Sequence, residues 1–112
     1  MPEAAPATIT LALCGDVMTG RGIDQILPHP APPNLYEPAV SDARQYVALA
    51  EAANGPVPKP VAWPYVWGEA LAALDRMRPA ARIANLETSL TLSEDAAPKG
   101  INYRMNPANA PV

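Results

Sequence analysis

Alternating apolar and small residues characterise the first structured segment of the chain. From Thr8 to Cys14 the sequence reads TITLALC, with Ile9, Leu11 and Leu13 on one face and small residues on the other. This alternation predicts a β-strand that is covered on both faces. We expect Cys14, the single cysteine of the chain, to be buried as a small apolar side chain.

Two later segments have the apolar spacing of amphipathic helices. The first is predicted over residues 42–53, with Ser41 as its N-cap and Gly55 just past its end. The second is predicted to begin with Pro64 in its first turn and to end before Pro79. Its regularly spaced apolar residues, which define one helical face, are Trp67, Ala70, Leu71, Leu74 and Met77.

Proline-rich loops and short strands complete the pattern. The segments PHPAPPN (28–34) and GPVPKPVAWP (55–64) exclude regular structure, whereas 81–87 and 101–105 are predicted strands and 23–27 is a predicted helical turn. A strand, helices and another strand, in that order, are typical of a crossover between parallel strands. The predicted fold class is therefore α/β, with a βαβ crossover and long proline-rich loops.

The predicted elements are too few to enclose a parallel sheet. Such a sheet needs both faces covered, so we expect further strands and helices. Asn109, followed closely by Pro111, resembles the start of a helix that lies further along. We therefore expect residues 1–112 to be the N-terminal portion of a single domain that continues beyond residue 112 and is inactive without its remainder.

Charge and composition exclude some classes of function. The net charge is −3 and the eight lysines and arginines are scattered, which argues against a nucleic-acid partner. The N-terminal sequence lacks the features of a signal peptide, and no apolar run is long enough for a transmembrane segment. The default expectation is a cytoplasmic protein, with association with the cell envelope left open.

Two acids stand near the ends of the predicted strands. Asp16 follows the first strand and Glu87 closes the second, and ligands of open α/β sheets bind at the carboxyl ends of strands. With the amide of Asn85, these side chains offer the oxygen ligands that hard divalent metals prefer. The alternative is structural, with Asp16 capping a turn and Glu87 beginning one.

Arg21 is the basic residue nearest to these acids in sequence. It could pair with them or bind an anionic substrate. A phosphate-binding loop over GDVMTGRG is rejected, because Arg21 and Gly22 replace the Lys and Ser or Thr of that motif. His29 is expected to be exposed and without a role, and Trp63 and Trp67 to pack a helix onto the sheet.

Three segments in this order resemble a known family. GDVMTGRG, then ARIANLETSLT, then PKGINYRMNP are similar to the poly-γ-glutamate capsule synthesis proteins called CapA, a branch of the calcineurin-like metallophosphoesterase superfamily. The resemblance implies the N-terminal part of a metallophosphoesterase-like α/β sandwich. It also implies a role in capsule or poly-γ-glutamate synthesis, with an anionic substrate or polymer as partner.

The resemblance further implies a metal site, in which Asp16, Asn85 and Glu87 match metal-binding positions and Arg21 matches a basic position. The cofactor it implies is divalent, Mn²⁺ or a similar ion, in a dinuclear site. Met18 stands where the wider superfamily has a histidine, and the Asn-Asn-His motif and later histidines are not within these residues. The implied activity is metal-dependent phosphoester hydrolysis, and the alternative is a non-catalytic binding or assembly protein for an anionic polymer.

Overall fold

The structure is a computed structural model that describes residues 7–112. Its regular elements, in chain order, are strand β1 (Leu11–Val17), helix α1 (Arg21–Ile26), helix α2 (Arg44–Asn54), a first 3₁₀ helix (Trp63–Trp67), helix α3 (Ala70–Met77), strand β2 (Ala81–Leu86), strand β3 (Ser89–Leu90), strand β4 (Arg104–Met105) and a second 3₁₀ helix (Pro107–Asn109). No helix among these residues has both the length and the apolar character needed to cross a membrane.

Strands β1 and β2 form a parallel pair, and all three α-helices lie between them in sequence. The connection is thus a crossover, and the predicted mixed α/β organisation is confirmed. A second parallel pair joins β3 to β4. Closure into a complete sandwich stays a prediction, since two short parallel pairs do not make one.

Strand β1 lies further along the chain than predicted, over Leu11–Val17 instead of 8–14. The strand continues through Gly15, where a bulge interrupts the regular pairing. The register shifts between Leu13 and Asp16, after which pairing with β2 resumes. A bulge of this kind lets a strand continue past residues that fit a regular ladder poorly.

One face of the β1–β2 pair is open to solvent. Leu13 is 71% exposed and Ile83, its partner across the ladder, is 55% exposed. The expectation that β1 is covered on both faces is therefore not met by these residues. Cys14 is exposed as well, which corrects the prediction that it is buried. It lies within the bulge, where the chain leaves the regular pleat.

Helix α2 begins at Arg44, two residues later than predicted, and Ser41 is not its N-cap. Asp42 forms an isolated antiparallel bridge with Asn34, which holds this part of the chain extended. The N-cap is Ala43, which has no capping side chain. Instead, an Asp42 carboxylate oxygen accepts the backbone N–H of Arg44 at 2.9 Å.

The second predicted helix is divided. Pro64 lies in the first turn of the 3₁₀ helix Trp63–Trp67, and Gly68, with φ of 52°, separates this helix from α3. A residue in this left-handed conformation interrupts helical geometry, and glycine adopts it readily. Helix α3 ends at Met77, before Arg78 and Pro79, as the proline predicts.

A small apolar core lies beside the sheet. Leu27, Val61 and Met105 are buried together, and the partly buried Trp63 packs against them. Trp63 therefore packs on this core and not, as predicted, on the β1–β2 pair. Trp67 lines one pocket with the β2 residues Ala84 and Leu86, and its predicted packing on the sheet stays a prediction. The backbone N–H of Val61 donates to the Ile26 carbonyl at 2.8 Å, which ties the second proline-rich loop to α1.

A buried polar network joins α1 to the last residues. Asp24 is 1% exposed, and its carboxylate accepts the backbone N–H groups of Ala31 at 2.7 Å and Asn106 at 3.1 Å. The fully buried Asn109 donates its amide to the same carboxylate at 2.8 Å and also to the His29 carbonyl. The side chain of His29 is exposed, as expected.

The helix predicted to follow Asn109 lies beyond the residues that the structure describes. The helix-start signal lies three residues earlier, at Asn106, whose side chain accepts the Ala108 backbone N–H at 2.9 Å and caps the second 3₁₀ helix. Asn109 is the last residue of that helix. Burial of its amide against Asp24 gives it a structural role instead.

Candidate functional site

The carboxyl ends of β1 and β2 bring Asp16 and Asn85 together. The two residues are direct partners in the parallel register. The Asn85 side-chain amide donates to Asp16 Oδ1 at 2.7 Å, and both side chains are exposed. The structure therefore brings the Asp16 carboxylate together with the Asn85 amide at this edge of the sheet.

The bulge in β1 decides which face Asp16 occupies. Leu13 pairs with Ile83 and Asp16 pairs with Asn85, so an advance of three residues on β1 matches two on β2. In a regular strand, residues three apart point to opposite faces of the sheet. Here the extra residue returns Asp16 to the face of Leu13 and Ile83, which is open to solvent.

Glu87 follows β2 directly and extends the site. Glu87 lies two positions after Asn85 in the chain, so an extended backbone places both residues on one face. Its backbone N–H donates to the Val17 carbonyl at 2.9 Å, which continues the ladder one step past β2. The Glu87 side chain lines an open pocket of about 500 Å³, whose other lining residues are Leu86, Thr88, Ser89, Lys99, Ile101 and Tyr103.

These donors suit part of the coordination shell of a hard divalent ion. Two carboxylates and an amide oxygen at one sheet edge are ligands of the type that Mn²⁺ and Mg²⁺ accept. Residues 7–112 hold no group of three or more His, Cys, Asp or Glu side chains placed to bind a metal. The donor set thus fits a metal ion as a partial site that needs further ligands.

Met18, which the resemblance places at the histidine position of the wider superfamily, has a structural contact. Its Sδ accepts the backbone N–H of Gly20 at 3.2 Å. A thioether is a soft ligand, poorly matched to the carboxylates beside it. The Met18 side chain therefore stabilises the backbone of the turn after β1.

Arg21 pairs with an acid that the sequence analysis did not consider. Its Nε lies 2.5 Å from Glu37 Oε1, and both side chains are largely buried. The guanidinium also stacks over the rings of Tyr46, at 5.3 Å, and Tyr103, at 4.6 Å. Arg21 thus forms an ion pair, but with neither acid at the strand ends.

The two glycines beside Arg21 have packing roles. A Cβ on Gly20 would lie 2.6 Å from the Arg104 carbonyl oxygen, and a Cβ on Gly22 would lie 2.8 Å from the Cβ of Tyr46. Glycine therefore lets the turn approach β4 and lets α1 approach α2. The resemblance of this segment to a phosphate-binding loop has a packing explanation, in line with the rejection of that motif.

Sequence reasoning missed Glu37, Tyr46, Tyr103 and Lys99. Glu37 lies between two proline-rich stretches, and no periodic pattern includes it. Its one distinctive feature is that it is the only charged residue over 25–41. Tyr46 and Tyr103 flank Arg21, and Lys99 lines the pocket beside Glu87, so only folding reveals these neighbours.

The hydrogen bond between Tyr46 and Glu37 is expected to be measurable in the titration of the Tyr46 hydroxyl. The Glu37 carboxylate, which accepts the Tyr46 hydroxyl at 3.0 Å, raises the pKa of Tyr46 above its ordinary value of 10.0, and burial acts in the same direction. The pKa of Tyr46 is higher in the folded protein than in the unfolded chain. The stability that this hydrogen bond contributes is therefore present below pH 10.0 and is lost as pH rises through the folded-state pKa. We expect Glu37→Gln to lower the pKa of Tyr46.

Alkaline absorbance titration measures this change. Tyr46→Phe should remove the ionisation step of Tyr46 from the titration curve. Tyr65→Phe, at a residue 48% exposed, should leave that step in place. Since Glu37→Gln also weakens the pair with Arg21, we expect a loss of about 1–2 kcal/mol in the free energy of unfolding. An identical titration curve for wild type and Glu37→Gln would contradict the hydrogen bond.

Comparison with known proteins relates the chain to a family. Residues 10–112 match the family described as bacterial capsule synthesis protein PGA_cap. Two curated relatives, both probable polyglutamine synthesis accessory proteins of Mycobacterium tuberculosis, from strains CDC 1551 / Oshkosh and ATCC 25618 / H37Rv, are 50% identical over 108 residues. The alignment covers 96% of this chain but 28% of the length of each relative. No solved structure matches the chain.

Proposed function

Because the chain belongs to the bacterial capsule synthesis protein family PGA_cap, we propose that it takes part in the synthesis of an anionic glutamate polymer. The names of its relatives refer to polyglutamine synthesis in an accessory role. The resemblance described above refers to poly-γ-glutamate and to the bacterial capsule. In this proposal the protein acts on an anionic substrate or polymer as a metal-dependent phosphoester hydrolase.

The observation that carries the proposal is the meeting of Asp16 and Asn85 at the carboxyl ends of two parallel strands. Both side chains are exposed, and the bulge in β1 turns Asp16 onto this face. Exposed polar side chains at this edge are typical of ligand sites in α/β proteins. Neither strand needs a carboxylate or an amide here for packing.

In the proposed site, Asp16, Asn85 and Glu87 would hold a divalent ion, with further ligands from the rest of the domain. An ion bound there would supply Lewis-acid activation of a phosphoryl oxygen. The amide of Asn85 fixes the orientation of the Asp16 carboxylate through their 2.7 Å hydrogen bond. Glu87 presents its carboxylate to the adjoining pocket, where a substrate has room to enter.

Arg21 is assigned a positioning role in this proposal. Its guanidinium, held by Glu37, supports the ring of Tyr103, which lines the pocket beside Glu87. A guanidinium already paired with a buried carboxylate is a weak receptor for a second anion. This differs from the direct substrate contact that the sequence analysis considered.

A non-catalytic binding or assembly protein is the alternative function. Met18 favours it, because a superfamily metal-ligand position is occupied by a side chain that accepts a hydrogen bond from its own turn. A fold alone does not fix an activity. In this case the same strand edge would bind an anionic polymer without hydrolysing it.

Metal binding and hydrolysis by the purified full-length protein separate the two functions. We expect Mn²⁺ to bind in calorimetry and to support hydrolysis of an aryl phosphate, with loss of activity after chelation. Binding of Mn²⁺ without hydrolysis favours the assembly role. Absence of both metal binding and hydrolysis contradicts the proposed metal site.

A further inference from the structure

We propose that Lys99 binds an anionic group of the substrate in the pocket beside Glu87. The assignment rests on the proposed function, because it concerns the substrate of that same site. It replaces Arg21 with Lys99 as the residue that neutralises the substrate charge. The ligand group is a carboxylate or a phosphate, since an ammonium attracts both as a point charge.

Arg21 is not available for this task. Its Nε is bonded to Glu37 Oε1, and its side chain is 19% exposed. The flanking rings of Tyr46 and Tyr103 restrict its movement further. Moving the guanidinium toward a substrate would leave the Glu37 carboxylate, 5% exposed, without its cation, which is energetically costly.

Lys99 has the opposite properties. It is exposed, it lines the pocket of about 500 Å³ with Glu87, and its ammonium forms no ion pair with any residue in the range 7–112. The chain contains one other lysine, Lys59, whose ammonium lies 2.5 Å from Glu51. Of the two lysines, Lys99 is therefore the one whose charge no ion pair among residues 7–112 neutralises.

Backbone pairing explains why Lys99 reaches this pocket. The Ser89 N–H donates to the Tyr103 carbonyl at 3.1 Å as β3 and β4 pair, which folds the loop between them back toward Glu87. Within that loop, the Ala97 carbonyl accepts the N–H of Lys99 at 2.7 Å. Because these hydrogen bonds involve only backbone atoms, they position Lys99 while its side chain remains free to bind an anion.

The pocket also has other groups suited to an anion. Ser89 is one of its lining residues, and a serine hydroxyl can donate to a carboxylate or phosphate oxygen. The Thr88 hydroxyl instead donates to the Glu87 carbonyl at 2.7 Å, so it supports the backbone. An anion held by Lys99 and Ser89 would lie in the same pocket as the Glu87 carboxylate, which a bound cation would neutralise.

Binding to the full-length protein tests the assignment, with a γ-linked glutamate oligomer and inorganic phosphate as separate probes. We expect Lys99→Ala to raise the Kd of at least one probe about 10-fold at low salt, with a smaller effect at high salt. Lys99→Arg, which keeps the charge, should stay within about 3-fold of wild type. Lys59→Ala makes the same substitution outside the pocket and should leave Kd unchanged.

The two probes identify the source of the anion, since the one whose affinity depends on Lys99 carries the group that this residue binds. Unchanged Kd values in Lys99→Ala overturn the assignment, and so does the absence of measurable binding of either probe to wild type. Equal weakening by Lys59→Ala also overturns it, because the effect would then reflect net charge. Mn²⁺ titration of the same samples reports on the metal site separately, so its failure is distinguishable from failure at Lys99.

Discussion

Asp24→Ala is expected to lower the free energy of unfolding by about 3 kcal/mol, because it leaves several buried donors without an acceptor. The Asp24 carboxylate accepts the N–H groups of Ala31 and Asn106 and the side-chain amide of Asn109. With Asp24 1% exposed, water cannot readily replace these bonds. Chemical denaturation of the full-length protein, monitored by circular dichroism, measures the change.

Asp75→Ala is the matched control for this prediction. Asp75 pairs with Arg82 at the surface, where its side chain is 70% exposed, and an exposed pair contributes at most about 1 kcal/mol. Asn109→Ala removes one donor to the Asp24 carboxylate and should cost less than Asp24→Ala. Equal stabilities of Asp24→Ala and Asp75→Ala would contradict a stabilising role for the buried network.

Asp16→Asn is expected to weaken Mn²⁺ binding about 100-fold and to reduce aryl phosphate hydrolysis to a similar extent. Neutralising the carboxylate removes the charge that attracts the cation. It changes little packing, because Asp16 is exposed and an asparagine oxygen can still accept the Asn85 amide. The free energy of unfolding measured without metal should therefore change by less than about 0.5 kcal/mol.

Asp95→Asn provides the control for Asp16→Asn, since it makes the same substitution at an exposed residue of the β3–β4 loop. Calorimetry with Mn²⁺ and steady-state kinetics on the two variants give the comparison. Glu87→Gln should resemble Asp16→Asn if both carboxylates serve one site. Should Asp16→Asn unfold the protein while Mn²⁺ affinity per folded molecule is retained, Asp16 is a structural residue.

Both predictions concern carboxylates, but the sequence indicates the role of Asp16 and not that of Asp24. Asp24 lies in the predicted helical turn 23–27, where an acid is ordinarily a solvent-exposed residue. Its burial depends on Asn106 and Asn109, which are more than eighty residues away. Asp16 could be recognised because a strand precedes it, and strand ends in parallel sheets are where ligands bind.

The elements whose patterns are local were predictable from sequence alone. Alternation indicated β1 and apolar spacing indicated α2, because side-chain direction repeats with the backbone geometry of each element. The order of elements predicted the parallel pairing of β1 with β2, and so placed Asp16 and Asn85 at one edge. Boundaries were less accurate, since the bulge in β1 and the bridge at Asp42 depend on neighbouring strands and loops.

Tertiary structure alone decided which charged groups are available for chemistry. Arg21 and Lys99 are both basic residues in loop-rich sequence, yet the fold buries one against Glu37 and leaves the other open in the pocket beside Glu87. The sequence by itself determined that acids and an amide end two neighbouring strands. It could not determine that Arg21 pairs with Glu37 while Lys99 lines the pocket beside Glu87, because loops bring these residues together and no sequence periodicity marks them.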